Sequence, residues 1–413
     1  MQIDVIVAGA GIWGCTVARV LAEAGRKVLV LEKRAAVGGN VRCETDPNGI
    51  EIHTYGSHIF HTHLDDVWDF VNRFITFNGY QHKVLARYEG KTYFLPLGLT
   101  LVNQFYGLNL TPSELPAFIA KEAQKGYKGF NGPNDLGPNG SSGSGSSGPN
   151  GSDGFGSNGL SGSKALNFEE QAISFIGEPL YRAFIREYTR KQWGTDPKNL
   201  PASIIKRLPV RSSYDINYYS DYRQGIPLTG YNSLFDRLLD HPGIVVECNA
   251  AFDLETVRSR SLPKDVPVFY SGPIDALFGY RFGALPWRSL RFERETLDVA
   301  DFQGTSVMNY TGADVPFTRI HEFKHFHPEN GEVMARPKTV ICREFPKTWQ
   351  PGDEPYYAVD TAESRALLER YRAEAANVPG LVIGGRLGEY RYYDMDQSVG
   401  RGLAAAREFL EKG

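Results

Sequence analysis

The sequence is poor in cysteine and in long apolar runs, and its charge is nearly balanced. Four cysteines occur among 413 residues, at Cys15, Cys43, Cys248 and Cys342. None belongs to a CxxC pair, which leaves no basis for a disulfide framework or a thiolate zinc site. Scattered single thiols suit a reducing compartment, so a cytoplasmic protein is expected. A net charge of −3 gives no nucleic-acid footprint and no acidic tail. No nucleic-acid partner is therefore expected, and an anionic ligand would have to meet locally placed basic groups. No apolar run reaches membrane-spanning length and no signal peptide stands before the first strand, so no membrane insertion is expected.

What is present begins with a βαβ pattern. Residues 3–8 form an apolar run with little alternation, as a parallel strand buried on both faces requires. A glycine turn follows, then a helix expected over 12–24 with Gly25 placed to stop it, then a strand over 27–31. Helical patterns over 65–74 and 111–124 flank a strand pair at 84–88 and 91–94. From 126 to 163 the chain is almost entirely Gly, Ser, Asn and Pro, too polar to offset its ordering entropy, and reads as a flexible insertion without chemistry. Helix resumes at Asn167, an N-cap followed by acidic residues, and runs to Trp193. A buried strand is expected over 266–270 and antiparallel strands over 289–344. The tail repeats the opening: a strand over 381–383, the loop Gly384-Gly385-Arg386, and a helix from Met395 to about Leu410. The two chain ends are thus expected to build one domain, with the middle inserted.

Gly9, Gly11 and Gly14 form a GxGxxG turn between a buried strand and a helix. The first glycine permits the turn, the second admits a pyrophosphate, and the third allows helix and strand to touch. The helix N-terminus then offers free N–H groups to phosphate. Glu32 ends the second strand, where an acid can bond a ribose hydroxyl. The motif alone indicates a dinucleotide. FAD is favoured over NAD by the second glycine loop that follows Lys33 and Arg34, with Gly39 and Asn40 in it. It is favoured again by Gly385 and Arg386, where another helix would aim its dipole at the isoalloxazine end.

Several segments resemble the UDP-galactopyranose mutase family. They include Tyr55-Gly-Ser-His-Ile-Phe-His-Thr62, Tyr188-Thr-Arg-Lys-Gln-Trp-Gly194, Ile204-Ile-Lys-Arg-Leu-Pro-Val-Arg211, Asp353-Glu-Pro-Tyr-Tyr357 and Glu389-Tyr-Arg-Tyr-Tyr-Asp-Met395. The likeness spans the chain apart from the insertion. It implies an α/β fold: a Rossmann-like FAD-binding domain with an inserted helical domain and an antiparallel β-sheet domain. The FAD domain would comprise 1–75, 240–285 and 378–413; the helical domain 100–200; the substrate sheet 80–99, 201–239 and 286–377. It further implies that reduced flavin N5 attacks the anomeric carbon of a UDP-sugar, contracting the pyranose to a furanose without net oxidation. Family members often form homodimers; the residues themselves leave this open.

The resemblance also assigns residues. Arg207, on a mobile loop, and Arg319 would hold the diphosphate that accumulates charge as it leaves. Phe184 and Tyr188 share a helix face and, with Trp193, would meet the uracil and sugar; the bland alternative is core packing. Tyr218, Tyr357 and Tyr392 would donate hydroxyls to the diphosphate, with Arg288 and His61 nearby. Gly56 and His58 would lie against the flavin, as would Asp394 and Met395, although Asp394 also suits an N-cap. Relatives often have alanine or glycine at Ser57. His58 and His61 are spaced for a metal but lack a third ligand, so no metal is expected. A conventional FAD oxidoreductase of amine-oxidase type explains both chain ends but not the arginines and tyrosines. Within the family, the sugar could also be another hexose, such as N-acetylgalactosamine.

Overall fold

The computed structural model describes residues 2–126, 167–207, 211–254 and 266–412. The insertion expected at 126–163 therefore lies outside the described residues except for Gly126, which ends a helix over Leu115–Gly126.

Five parallel strands form the first sheet, in the order Leu381–Ile383, Val268–Tyr270, Val5–Ala8, Val28–Leu31 and Ile244–Glu247. Every residue of Val5–Ala8 and Val28–Leu31 is buried, which explains why these runs lack alternation. Strands from both chain ends share this sheet, with Val268–Tyr270 between Leu381–Ile383 and Val5–Ala8. The helices Ile12–Glu23, Tyr231–Leu239 and Met395–Glu411 cover one face and share a core with Val5, Val7, Val28 and Val30. Tyr231–Leu239, expected with the substrate sheet, buries Leu234, Phe235 and Leu238 in the core that also holds helix Ile12–Glu23 and the parallel strands.

Seven strands form the second sheet, running from Tyr357–Ala358 through Trp287–Leu297, Thr339–Thr348, Arg319–Glu322, Val307–Tyr310 and Val84–Tyr88 to Lys91–Phe94. It is antiparallel except where Val307–Tyr310 meets Val84–Tyr88 in parallel register. That one pairing joins segments more than 200 residues apart in sequence, so no hairpin imposes the antiparallel direction.

The third region is helical. Asn167 caps Phe168–Ile176 in a reciprocal capping box with Glu170. The helix expected from Asn167 to Trp193 is not continuous. It breaks at Gly177, with Pro179 unable to donate to a continuing ladder, and widens into a π-turn over Tyr181–Arg186 before Glu187–Trp193. The helix Leu99–Tyr106, bounded by Gly98 and Gly107, was not anticipated, because its Leu-Thr-Leu-Val start carries as much strand as helix character. Among the described residues no helix is long and apolar enough to cross a membrane.

Candidate active site

A cavity of about 1570 Å³ runs between the two sheets and the helical region. Its volume exceeds the 300–1,000 Å³ typical of a pocket for one small ligand, leaving room for a cofactor and a substrate together.

One end is built by the glycine turn. Gly9 holds φ at +106°, and a Cβ there would collide with Ser271 Oγ. A Cβ on Gly14 would lie 2.0 Å from the Gly9 carbonyl oxygen, so helix and turn touch only because it is glycine. A Cβ on Gly11 would meet nothing within 4 Å: the protein leaves that space open toward the cavity. Gly14 itself is not part of the cavity wall, as its packing role requires. The second glycine loop is tied to the first, with the Gly38 N–H donating to Ala10 O at 2.8 Å and Gly39 against Gly11. Glu32 is buried and accepts from the Ala10 and Arg34 N–H groups at 2.8 and 2.9 Å, so it also locks the turn. Lys33 stands at the rim, its ammonium 4.0 Å from Glu354.

The middle of the cavity is lined by Gly56, Ser57 and His58 on one side and Gly385, Arg386, Asp394 and Met395 on the other. His58 Nδ1 donates to the Gly56 carbonyl at 2.6 Å, which leaves Nε2 as an acceptor on a neutral ring. The helix at the Gly-Gly-Arg loop covers only Gly385–Gly388; the long helix starts at Met395, and the N-termini of both lie in the wall. Asp394 caps that helix in a box with Gln397, so the N-cap reading of Asp394 holds while it lines the cavity. Arg386 donates to the Tyr356 and Pro355 carbonyls, and burial lowers its pKa.

The far end carries a continuous polar chain. Arg319 Nη2 donates to the Tyr188 hydroxyl at 2.6 Å, and its Nε lies 3.3 Å from Glu344 as an ion pair without hydrogen-bond alignment. Glu344 accepts from His321 Nε2 at 3.2 Å, and Ser57 Oγ is 2.5 Å from His321 Nδ1. Burial opposes both charges, but each sustains the other: Arg319 stays well above the ordinary arginine value and Glu344 is held below the usual carboxylate range. Desolvation by the surrounding cavity walls raises Tyr188, Tyr218, Tyr357 and Tyr392, keeping them neutral donors, although Tyr218 and Tyr392 still open to solvent through the cavity mouth. Tyr357 and Tyr392 stack with centroids 5.8 Å apart. His61 is fixed by Asp221 at 2.7 Å and by stacking on Tyr219, and both lie in the same wall as Tyr218.

Not every expected residue faces a ligand equally. Phe184 is nearly fully buried among Tyr88, Tyr93 and Phe105, so packing accounts for most of its surface even though it reaches the wall. Arg288 borders the cavity, but its Nε and Nη1 are committed to the Gln192 carbonyl and Thr348, 2.9 and 2.8 Å away. It secures the end of the helix bearing Trp193 rather than presenting a free fork. The side chain of Arg207 lies outside the described residues; its backbone ends the turn Ala202–Arg207. Sequence reasoning missed Gln192 and Asn309, cavity residues with amide oxygens buried and unpartnered. It also missed Lys191, whose ammonium donates to the carbonyls of Tyr310, Gly312, Val315 and Phe317. Asn309 and Lys191 alternate or adjoin with expected residues in the sequence, but nothing in the pattern marks which way they point.

Burial also holds His53, His58 and His82 down, to about 3, about 4 and about 3. An unfolded chain protonates these rings near about 6.5, so between that pH and about 4 it binds more protons than the native state. Stability should fall as the pH drops through this window. His325 and His327, raised by carboxylate partners, oppose the trend, but their shifts are smaller. The urea midpoint is expected to be lower at pH 5 than at pH 7.5; equal midpoints would contradict the neutral buried rings.

Comparison with known proteins identifies the family. The UDP-galactopyranose mutase family profile matches residues 183–392, and a profile for NAD(P)-binding Rossmann-like domains matches residues 7–74. A probable UDP-galactopyranose mutase of Klebsiella pneumoniae is 37% identical over 98% of this chain and 94% of its own. The chain belongs to the UDP-galactopyranose mutase family. A dTDP-fucopyranose mutase of Escherichia coli is also 37% identical, over 98% of both chains. A crystal structure of reduced UDP-galactopyranose mutase superposes with a TM-score of 0.71 at 16% identity, over 100% of this chain and 96% of that one, which shows a shared fold. The chain is thus an isomerase and a flavoprotein, and FAD is its cofactor. The open face of Gly11, the joined glycine loops and the free Nε2 of His58 fit that cofactor along one cavity wall.

Proposed function

We propose that the protein interconverts UDP-galactopyranose and UDP-galactofuranose. Reduced FAD would supply the nucleophile, N5, for the anomeric carbon, with no net redox change. The observation that carries this reading is the charged, half-buried Arg319 at the far end of the FAD cavity, aimed by Glu344 and joined to the Tyr188 hydroxyl. A diphosphate leaving the sugar gains negative charge there, and preset donors in a dry site stabilise it without reorganising. Tyr357 and Tyr392 would add neutral hydroxyl donors, and Arg207 a second fork from the turn at its position. Phe184, Tyr188 and Trp193 would bound the nucleoside and sugar, and Gln192 and Asn309 offer amides to a pyrimidine. His58 Nε2 would accept a hydrogen bond beside the flavin. The division into an FAD domain, a helical domain and a substrate sheet follows the same reading, with Tyr231–Leu239 moved to the first.

The second reading is dTDP-fucopyranose, favoured by equal identity to the Escherichia coli enzyme. The two substrates differ at the sugar C6, hydroxymethyl against methyl, and in the nucleoside. Product analysis of the reduced protein against UDP-galactopyranose and dTDP-fucopyranose separates them. The proposal expects a higher kcat/KM for UDP-galactopyranose; preference for the dTDP-sugar would transfer the assignment to the second reading.

A further inference from the structure

Lys191 lies on the helix Glu187–Trp193 but outside the cavity wall that its neighbours Tyr188, Gln192 and Trp193 help to build. Its ammonium enters the turn that joins the strands Val307–Tyr310 and Arg319–Glu322. There it donates to the carbonyls of Tyr310 at 2.7 Å, Gly312 and Phe317 at 2.9 Å, and Val315 at 3.3 Å. An ammonium carries three protons, so these four acceptors engage all of them and share one. Carbonyl dipoles from both ends and the tip of the turn thus take the place of water around the charge. Ala313, Asp314 and Pro316 are exposed, so packing contributes little to the order of the turn.

The two strands that leave this turn carry site residues. Asn309 and Arg319 stand directly opposite each other in the antiparallel ladder, and both line the cavity. Arg319 is also tied to the helix, since its Nη2 donates to the Tyr188 hydroxyl at 2.6 Å. Helix and hairpin are therefore joined at two points, one inside the cavity and one behind it. The inner tie alone would act as a hinge; with the outer one the separation and angle of the two walls are set. Arg288 adds a hold on the helix end through the Gln192 carbonyl. We propose that Lys191 is a positioning residue of the nucleotide site: by pinning the turn it sets the spacing between Tyr188, Gln192 and Trp193 on one wall and Asn309 and Arg319 on the other. The proposal rests on the reading that Arg319 holds the substrate diphosphate. A fork displaced by one ångström loses much of its effect, on the order of 10²-fold in the extreme.

The test compares the FAD-bound wild type with Lys191→Met, Lys191→Gln, Arg319→Ala and the Lys191→Met, Arg319→Ala double variant. UDP and dTDP are titrated as probes that lack the sugar, kcat/KM is measured on the reduced enzyme, and amide hydrogen exchange is followed over residues 311–317. Lys191→Met keeps the stem and loses the donors. It is expected to speed exchange in the turn and to leave the FAD content at the wild-type level. It should also weaken whichever nucleotide the wild type prefers by about tenfold. In the Arg319→Ala background the same change should cost less than about threefold further in kcat/KM, because a pin that works through Arg319 has little left to aim. If Lys191→Met does not fold, Lys191→Gln, with two donors on a shorter stem, should show the same pattern at smaller size. Wild-type nucleotide affinity in the Lys191 variants, or losses that multiply in full in the double variant, would overturn the pin. Failure of the functional reading looks different: an Arg319→Ala protein with wild-type turnover, or a wild type that binds neither nucleotide, would overturn that reading. A damaged Arg319→Ala beside an undamaged Lys191→Met overturns the pin alone.

Discussion

Replacing Arg319 by alanine should lower kcat/KM by about 10²–10³-fold, the loss seen when one preset donor to a developing anion is removed. The fold of the site explains the size. Arg319 is the cationic member of the Ser57–His321–Glu344–Arg319–Tyr188 chain, and nothing else among the described residues pairs with Glu344 as a full positive charge. Alanine removes the donor and also leaves a buried carboxylate uncompensated, which costs about 3–5 kcal/mol of stability. Both effects are therefore measured: steady-state kinetics on the reduced enzyme and a denaturation midpoint. Arg319→Lys keeps the charge but loses the fork, so it should recover stability more than activity. An alanine variant with wild-type kinetics would remove Arg319 from the mechanism.

The second large effect is expected at Gly11. Its φ of −77° is open to any residue, and an added side chain meets no protein atom. Gly11→Val should therefore leave the thermal midpoint of the apoprotein nearly unchanged, within the roughly 0.5 kcal/mol typical of neutral sites. The valine would fill the space where the pyrophosphate must approach, and the protein should purify without the flavin absorbance. Gly14→Ala should do the reverse first, since its Cβ lies 2.0 Å from the Gly9 carbonyl oxygen and must displace helix or turn. A Gly11→Val protein that purified with a full complement of FAD would show that the cofactor does not pass over this turn.

Much of this architecture was legible because local signals and burial agree there. The runs at Val5–Ala8 and Val28–Leu31 lack alternation for the same reason that they are buried on both faces. The capping box at Asn167 and the hairpin of Val84–Tyr88 with Lys91–Phe94 are likewise written within a few residues. The π-turn at Tyr181–Arg186 and the parallel pairing of Val307–Tyr310 with Val84–Tyr88 were not legible, since tertiary packing sets both. In the site, glycine motifs and family-like segments marked the residues that line the cavity. They did not distinguish Arg288, whose fork is spent on a helix end, from Arg319, whose fork reaches Tyr188.

The central claim is ring contraction by a flavin that must be reduced yet is not consumed. The most direct measurement follows furanose formation from UDP-galactopyranose by the purified FAD-bound protein, with and without dithionite, while monitoring the flavin spectrum. The account predicts many turnovers only in the reduced state, with the flavin still reduced at the end and no oxidised or reduced sugar formed. Turnover by the oxidised protein, or stoichiometric flavin oxidation accompanying a redox-altered sugar, would contradict it.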